Sequence, residues 1–263
     1  MNGKLTRIAV LVSVGRHPVS GVARYSRNDA AALETGLALA QQHGALLDVL
    51  HAGDASNPAL RDYLALGAAR VEVLACGEHD DATAALAKRV QGYDLVLTGT
   101  CAEGAFDTGM LPYRLADALG YPLVGAAVDA SVEAGHVTVR QFLPKGVRRR
   151  VQAPLPAVVA VHPLAPAQPR YAYARLRAGS VDAATTATIA TTKADPEASQ
   201  WKLAAPQRKP VRLAAPEKRS GHARMMSATT TESRGGSVVI EGSSVEKAQA
   251  ILGYLREHQL IDY

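Results

Sequence analysis

The most constraining feature of this chain is residues 93–122, which read YDLVLTGTCAEGAFDTGMLPYRLADALGYP. The run LVL at residues 95–97 is short and continuously apolar, which is typical of a strand covered on both faces. Residues 114–119 have helical spacing and end at Gly120. The segment therefore predicts a buried strand, a glycine-bounded loop and the start of a helix.

The predicted loop, residues 99–109, ends in Asp107, Thr108 and Gly109. Free backbone N–H groups at a helix start attract an anion, because the positive end of the helix dipole lies behind them. Thr108 can add a hydroxyl, and Gly109 lets a ligand approach the backbone. The pattern points to a phosphate, and hence to a nucleotide. An ordinary strand-to-helix turn capped by Asp107 or Thr108 is the alternative that these residues leave open.

Length and composition indicate one large domain with an extension. The chain has 263 residues, of which 48% are hydrophobic, and only the part after about residue 175 is too polar to join a core. Its longest apolar runs fall far short of the roughly 20 residues that cross a bilayer, so we expect a cytoplasmic protein without membrane insertion. Cys76 and Cys101 lack zinc-ligand or CxxC spacing, which predicts structural thiols and no metal.

The net charge of +5 is concentrated in residues 145–150 and 202–224. Nucleic-acid binding would require aromatic side chains among these cations, and the second segment is preceded only by Trp201. We therefore expect no nucleic acid, and we interpret residues 202–224 as part of a solvated or partner-facing arm.

Strands and helices alternate through the first half of the chain, which predicts an α/β fold: a doubly wound, mostly parallel sheet of the adenine-nucleotide-binding type. The predicted strands are residues 7–14, 45–50, 71–74 and 95–98, and the predicted helices are residues 29–43, 58–66 and 82–91. Residues 124–131, 136–142 and 157–162 then form strands joined by short turns. They predict an antiparallel edge of the sheet.

This division gives three predicted regions: a nucleotide-binding core over residues 1–175, a long extended arm over residues 176–236, and a C-terminal strand and helix over residues 237–263. The strand is residues 237–241 and the helix residues 244–258, with Ser244 as its cap. Ala248, Ile251, Leu252 and Leu255 fall on one face of that helix. The face predicts docking on a partner or on the core.

Five motifs occur in a characteristic order. They are RIAVLVSV at 7–14, NDAAALETGLALA at 28–40, LGAARVEVL at 66–74, the 99–109 loop, and PAVVAVHPLAPAQPRYA at 156–172. In this order the chain resembles the β subunit of an electron-transfer flavoprotein, as a divergent member. The resemblance covers residues 5–175 and, more loosely, the C-terminal helix.

The resemblance implies an electron-carrier subunit without catalytic residues. It implies a heterodimer in which an α subunit holds a redox-active FAD, while the β subunit shapes the FAD pocket and carries a structural AMP. Electrons would come from a flavin-dependent dehydrogenase and pass to a quinone reductase, toward the respiratory chain. The chemistry would belong to the flavin.

The family's site residues carry over to particular positions of this chain. The resemblance implies AMP contacts at Leu11, Ser13, Ser26 and Ala52 for the adenosine, and at Gly99, Asp107, Thr108, Gly109 and Met110 for the phosphate. The family's dehydrogenase anchor, a leucine, falls on Ala174, so the implied docking segment is Ala174, Arg175 and Leu176, with Leu176 able to take over as anchor.

Two departures from the family concern the nucleotides. The 99–109 loop is shorter than the family's usual form, and Asp107 stands where an uncharged Gln is common. A carboxylate beside a phosphate repels it unless Asp107 turns away to cap the helix. The family's pattern for a second, bifurcating FAD is missing, so we expect no electron bifurcation.

Two other classes of function remain open. The first is a stand-alone adenine-nucleotide-binding protein without a redox role, although the chain has no GxxxxGK[ST] loop for hydrolysis. The second is a non-redox scaffold that has lost its ligand but kept its fold. His17, His51 and His162 lie near predicted strand ends, and we assign them no role.

Overall fold

Strands and helices alternate along the chain in the predicted manner. The computed structural model describes residues 4–17, 19–77, 80–102, 109–184, 220–222, 225, 242–258 and 260–261. Its strands are β1 (Arg7–Leu11), β2 (Val14–Arg16), β3 (Ala23–Tyr25), β4 (Leu46–Gly53), β5 (Arg70–Ala75), β6 (Leu95–Gly99), β7 (Leu123–Glu133), β8 (His136–Phe142), β9 (Arg148–Pro154), β10 (Ala157–Val161) and β11 (Ser180–Ala183). Its longer helices are α1 (Arg27–His43), α2 (Leu60–Leu66), α3 (Thr83–Val90), α4 (Leu111–Leu119), α5 (Tyr173–Ala178) and α6 (Ser244–Glu257).

Nine of these strands form one sheet, in the order β11-β5-β4-β1-β6-β10-β7-β8-β9. Neighbouring strands from β11 to β7 pair in parallel, whereas β8 and β9 pair antiparallel at one edge. Core residues of α1 and α2 belong to one apolar cluster and those of α3 and α4 to another. These two layers on a mostly parallel sheet confirm the predicted fold class.

The centre of the sheet is apolar on both faces. Every residue of β6 and every residue of β10 is buried. The predicted reading of LVL as a strand covered on both faces is therefore confirmed. The helix that follows is also confirmed, and it ends at Gly120, whose φ of 66° and ψ of 29° are left-handed.

The predicted place of residues 157–162 at the antiparallel edge is wrong. Strand β10 lies between β6 and β7 and pairs in parallel with both. The sequence AVVAV suits such a position, because a central strand has no face in water. The edge is instead formed by β9, a strand that the sequence had not predicted.

The predicted first strand, residues 7–14, is divided in the structure. Strand β1 ends at Leu11, and β2 begins at Val14 and pairs antiparallel with β3 in a small separate sheet. The chain therefore leaves the large sheet between these two strands, so Ser13 lies in a connecting loop at the carboxyl end of β1.

The large sheet continues past residue 175. Strand β11 pairs in parallel with β5, at the edge opposite β9. Residues 176–178 of the predicted arm thus belong to α5 and residues 180–183 to the sheet, and the extended character of the rest of the arm stays a prediction. The predicted strand at residues 237–241 lies outside the described residues.

Residues Lys202–Tyr263 form a second compact unit, whose described part includes α6. The cap of α6 is Ser243 and not Ser244, and Ser243 forms a capping box with Glu246. Val245 and Ile251 are 64% and 62% exposed on this helix. Of the helices described, none has the length and apolar character needed to span a membrane.

Candidate functional site

The candidate site lies where the strand order changes direction along the chain. From β1 the chain proceeds to β4 and β5 on one side, and then crosses to β6 on the other side. Such a switch point leaves a crevice beyond the carboxyl ends of the strands, where open α/β sheets bind ligands. Ser13 follows β1 at this edge, Gly99 ends β6 and Ala52 is close to the end of β4.

A single buried carboxylate holds the two central strand ends together. Oδ2 of Asp29 accepts hydrogen bonds from the backbone N–H of Ser13 at 2.7 Å and from its hydroxyl at 2.6 Å. Oδ1 of Asp29 accepts a third from the backbone N–H of Gly99 at 3.1 Å. The backbone N–H of Asp29 in turn donates to the hydroxyl of Ser26, the N-cap of α1, at 3.2 Å. Asp29 therefore ties the loop after β1 to the end of β6.

Burial governs the protonation of this carboxylate. Desolvation raises the pKa of Asp29 to about 7, although hydrogen bonds from Ser13, Ser26 and Gly99 act in the opposite direction. Asp29 lies in the first turn of α1, where the helix dipole favours a negative charge. The site thus contains a carboxyl group that changes its charge near neutral pH.

Asn28 connects the same edge to β10. In the amide orientation that satisfies both polar atoms, its nitrogen donates to the carbonyl of Val161 at 2.8 Å. Its oxygen then accepts from the backbone N–H of Thr100 at 2.7 Å and from that of Cys101 at 3.2 Å. The start of α1 therefore positions the first residues of the predicted phosphate loop.

Tyr63 supports the crevice from α2. Its fully buried hydroxyl donates to the carbonyl of Ser13 at 2.6 Å and accepts from the backbone N–H of Ser26 at 2.9 Å. The predictions from sequence missed Tyr63, Asn28 and Asp29 as site residues. The signal available for Asp29 was its place in the first turn of α1, just after a serine N-cap.

Gly109 has a left-handed backbone conformation close to the end of β6. Its φ is +65°, and a Cβ there would lie 3.1 Å from the carbonyl oxygen of Thr100. Helix α4 begins just after Met110, a residue without an oxygen that can cap the helix. Free N–H groups at a helix start can bind an anion. At this start Pro112 has no N–H, and the N–H of Tyr113 donates to the carbonyl of Met110 at 3.1 Å.

The predicted nucleotide contacts share one edge of the sheet as far as the structure describes them. Leu11, Ser26 and Gly99 are buried, Ser13 and Ala52 are half-buried, and Met110 is exposed. Asp107 and Thr108 lie outside the described residues. The side chain of Leu11 belongs to the core, so this residue can offer a ligand only its backbone.

The predicted docking residues lie elsewhere, on α5. Ala174 and Arg175 are exposed, and Leu176 is half-buried. Two aromatic side chains at the start of this segment are more accessible, Tyr171 at 55% and Tyr173 at 68% exposed. Both aromatic residues were missed as candidates for docking.

An open cleft adjoins the crevice beyond the ends of β4 and β5. Gly53, Asp54, Cys76 and Asp80 are among the residues that line it. Burial, followed by the nearby charges of Asp80 and Asp81, raises the pKa of Cys76 to about 11. The thiol is therefore protonated at neutral pH, in agreement with a structural role.

The three histidines near predicted strand ends, His17, His51 and His162, contact groups of this chain. Nδ1 of His51 lies 2.8 Å from the carbonyl oxygen of Val12, and burial lowers the pKa of His51. Nδ1 of His17 accepts from two backbone N–H groups of its own turn, and His162 stacks on Phe142. In the described parts of the chain, no group of three or more His, Cys, Asp or Glu side chains is placed to hold a metal ion.

Comparison with known proteins agrees with the geometry. A family model described as "Electron transfer flavoprotein domain" matches residues 20–197. The chain is also similar to an electron transfer flavoprotein subunit beta from Chromohalobacter salexigens, with 35% identity over 258 residues. That alignment covers 97% of this chain and 95% of the relative. On this evidence the chain belongs to the electron transfer flavoprotein family, as a β subunit.

Proposed function

We propose that this chain is the β subunit of a heterodimeric electron carrier whose FAD is held mainly by an α subunit. The observation that carries the proposal is the similarity to a β subunit over almost the whole length of both chains. The flavin would supply the electron transfer when bound. The contribution of this chain would be to bind, orient and shield, and not to catalyse a reaction.

The crevice at the ends of β1, β4 and β6 supports a structural AMP. Gly99, Gly109 and Met110, with Asp107 and Thr108 between them, would hold the phosphate at the start of α4. Leu11, Ser13, Ser26 and Ala52 would surround the adenosine. The hydroxyl of Ser13 already donates to Asp29, so it remains an acceptor for a ligand hydroxyl.

Contacts with the flavin would come from the small β2–β3 sheet. Arg16 is exposed at the end of β2, and its guanidinium is suited to a flavin phosphate held by the α subunit. Ala174, Arg175 and Leu176 would receive a flavin-dependent dehydrogenase. A quinone reductase would accept the electrons, and the complex would work in the cytoplasm.

The test is to co-express the chain with the α subunit from the same genome, purify the complex and identify the nucleotides released on denaturation by mass spectrometry. FAD together with AMP is the expected result. ATP turnover by the isolated chain would favour a stand-alone nucleotide-binding protein instead. A chain that forms no complex and releases nothing would contradict the proposal.

A further inference from the structure

The basic residues of this chain are distributed unevenly. Residues 134–181 contain eight Lys and Arg residues and no Asp or Glu, whereas residues 1–133 contain ten Lys and Arg and fifteen Asp and Glu. The first of these segments includes β8 and β9, the antiparallel edge of the sheet. Five of the eight, Arg140, Lys145, Arg148, Arg149 and Arg150, lie on β8 and β9 or in the turn between them, so positive charge is concentrated at this edge of the sheet.

Three arginines lie together on one face of this edge. In the antiparallel register Arg140 of β8 is directly opposite Arg150 of β9, and Arg148 is opposite Phe142. Side chains alternate along a strand, so these four residues share a face, opposite to the one that buries Val137 and Val139. We call Arg140, Arg148 and Arg150 the cationic face.

The described part of the chain neutralises the cationic face only partly. Arg140 forms an ion pair with Asp129 at 3.2 Å. Among the described residues, no carboxylate forms an ion pair with Arg148 or Arg150. Like charges directly opposite each other destabilise a sheet. Protection of an exposed edge strand requires some charge, but it does not require two arginines across from each other.

The surroundings of Phe142 restrict the kind of partner. His162 stacks on its ring with centroids 4.4 Å apart, and the guanidinium of Arg148 lies 4.3 Å from the ring centroid. Arg148 is on β9, on one side of β8, and His162 follows β10, which lies on the other side of β8, so the two neighbours flank the ring of Phe142 from opposite sides. No side of the ring is left to stack on a nucleic-acid base, which is how single strands are usually bound.

We propose that the cationic face docks a carboxylate-rich surface of the redox protein that exchanges electrons with the flavoprotein complex. Permanent subunit interfaces are predominantly apolar, whereas this face consists of charged groups that suit a transient, electrostatically guided encounter. Exposed guanidiniums would attract such a partner and orient it by paired hydrogen bonds to carboxylates. This inference rests on the proposed function.

The experiment uses the purified heterodimer and two triple variants. R140Q/R148Q/R150Q removes the cationic face, and K4Q/R61Q/K88Q removes the same charge from three separate exposed positions. The probe is a fluorescent octaglutamate peptide, titrated at low salt and again at physiological salt. We expect the first variant to lose about tenfold or more in affinity and to lose most of the salt dependence, with little change in the control.

Equal weakening in both variants would overturn the proposal, since only net charge would then matter. A single-stranded oligonucleotide of the same charge is titrated as well. If the wild type binds it as tightly as the peptide, and R140Q/R148Q/R150Q weakens both to the same extent, the proposal is overturned in favour of nucleic-acid binding. FAD content and reduction by dithionite are measured in parallel. A wild-type heterodimer that contains no FAD, or whose flavin dithionite does not reduce, would refute the proposed function, whatever the peptide result.

A second measurement tests the charge argument itself. Arg150→Gln should raise the thermal midpoint of the heterodimer, because it removes the cation opposite Arg140, whereas Arg61→Gln should leave it unchanged. A lower midpoint for Arg150→Gln would show that this arginine stabilises the edge. The premise of the docking face would then be wrong.

Discussion

Gly99 and Asp29 lie so close together that a methyl group on Gly99 would overlap the Oδ1 atom of Asp29. The same carboxylate receives the N–H of Gly99 and two hydrogen bonds from Ser13. The absence of a side chain at residue 99 is therefore what allows one carboxylate to join the ends of β1 and β6. The two residues form a clamp at the floor of the crevice beyond these strand ends.

Substituting Gly99 by alanine should break this clamp. The added carbon must displace Asp29 in a closely packed environment, and we expect a loss of about 1–3 kcal/mol in the free energy of unfolding. Urea denaturation measures this loss, and nucleotide retention should fall with it. Gly125→Ala is the control, since its new carbon would meet only the hydroxyl of Tyr113 at an ordinary 3.8 Å. Equal stability of the two variants would contradict the clamp.

Asp29 should make stability depend on pH. Its pKa is about 7 in the folded protein against 3.8 for the free group, so the folded state binds more protons between these values. The contribution of Asp29 to the free energy of unfolding is thus full below about pH 4 and is lost as the pH rises through 7, by up to about 4 kcal/mol.

Asp29→Asn should flatten this dependence, because the amide does not titrate in that range. Urea denaturation at a series of pH values compares the slopes of the wild type and the variant. The exposed carboxylate of Asp117 provides the control, since Asp117→Asn should keep the wild-type slope. An unchanged slope in Asp29→Asn would assign the pH dependence to other groups.

Comparing substitutions at two glycines with the same backbone conformation distinguishes an effect on nucleotide binding from an effect of backbone strain. Gly109 and Gly120 have φ of +65° and +66°, at opposite ends of α4. Alanine at Gly120 should cost about 1 kcal/mol of stability, and alanine at Gly109 should cost more, because its Cβ would lie 3.1 Å from the carbonyl oxygen of Thr100. Only Gly109→Ala should also reduce the AMP that co-purifies with the heterodimer, measured by mass spectrometry. Equal AMP contents in both variants would remove Gly109 from the proposed phosphate site.

The charge of Asp107 gives a further test with a defined sign. If a phosphate binds beside it, Asp107→Asn should leave AMP retention intact or improve it, because a repulsive negative charge is removed. Equilibrium dialysis with labelled AMP measures the change. Loss of AMP in this variant would mean that the carboxylate holds the loop or contacts the ligand, and the proposed position of the phosphate would be wrong.

Leu176 should matter for electron entry if it anchors the dehydrogenase. Leu176→Ala is expected to slow reduction by the physiological donor at sub-saturating concentration, with unchanged FAD content and unchanged reduction by dithionite. An anchor side chain carries roughly 2 kcal/mol or more of interface energy. Because Tyr173 is more exposed than Leu176, Tyr173→Ala is the informative comparison. Stopped-flow traces of Leu176→Ala identical to those of the wild type would exclude it as the anchor.

The sequence predicted those parts of the fold that depend on local patterns. A continuous apolar run indicated β6 as a buried strand, and Gly120 indicated the end of α4. Residues 157–162 were predicted as a strand, but at the edge of the sheet. The central position of β10 was not predictable in this way. Its neighbours in the sheet are β6 and β7, but β8 and β9 separate β7 from β10 in the chain. Short strands such as β11 carry too few residues to show a periodicity.

The candidate site was predicted only in part for a similar reason. The carboxylate of Asp29 meets Gly99, which is 70 residues away, and the hydroxyl of Tyr63 meets Ser26, which is 37 residues away. Hydrogen bonds between such distant residues leave no pattern in a single sequence. The resemblance to a family indicated Ser13, Ser26 and Gly99, but not the side chains that hold them in place.

The late arrival of β10 has a consequence during synthesis on the ribosome. At roughly 5–20 residues per second, the chain between Gly99 and Val161 takes seconds to make. Throughout that time one side of β6 presents unpaired backbone groups among apolar side chains, which is the kind of edge that pairs with other nascent chains. A molecular chaperone that covers β6 until Val161 has emerged would therefore raise the yield of this protein, and chains truncated before Ala157 should aggregate.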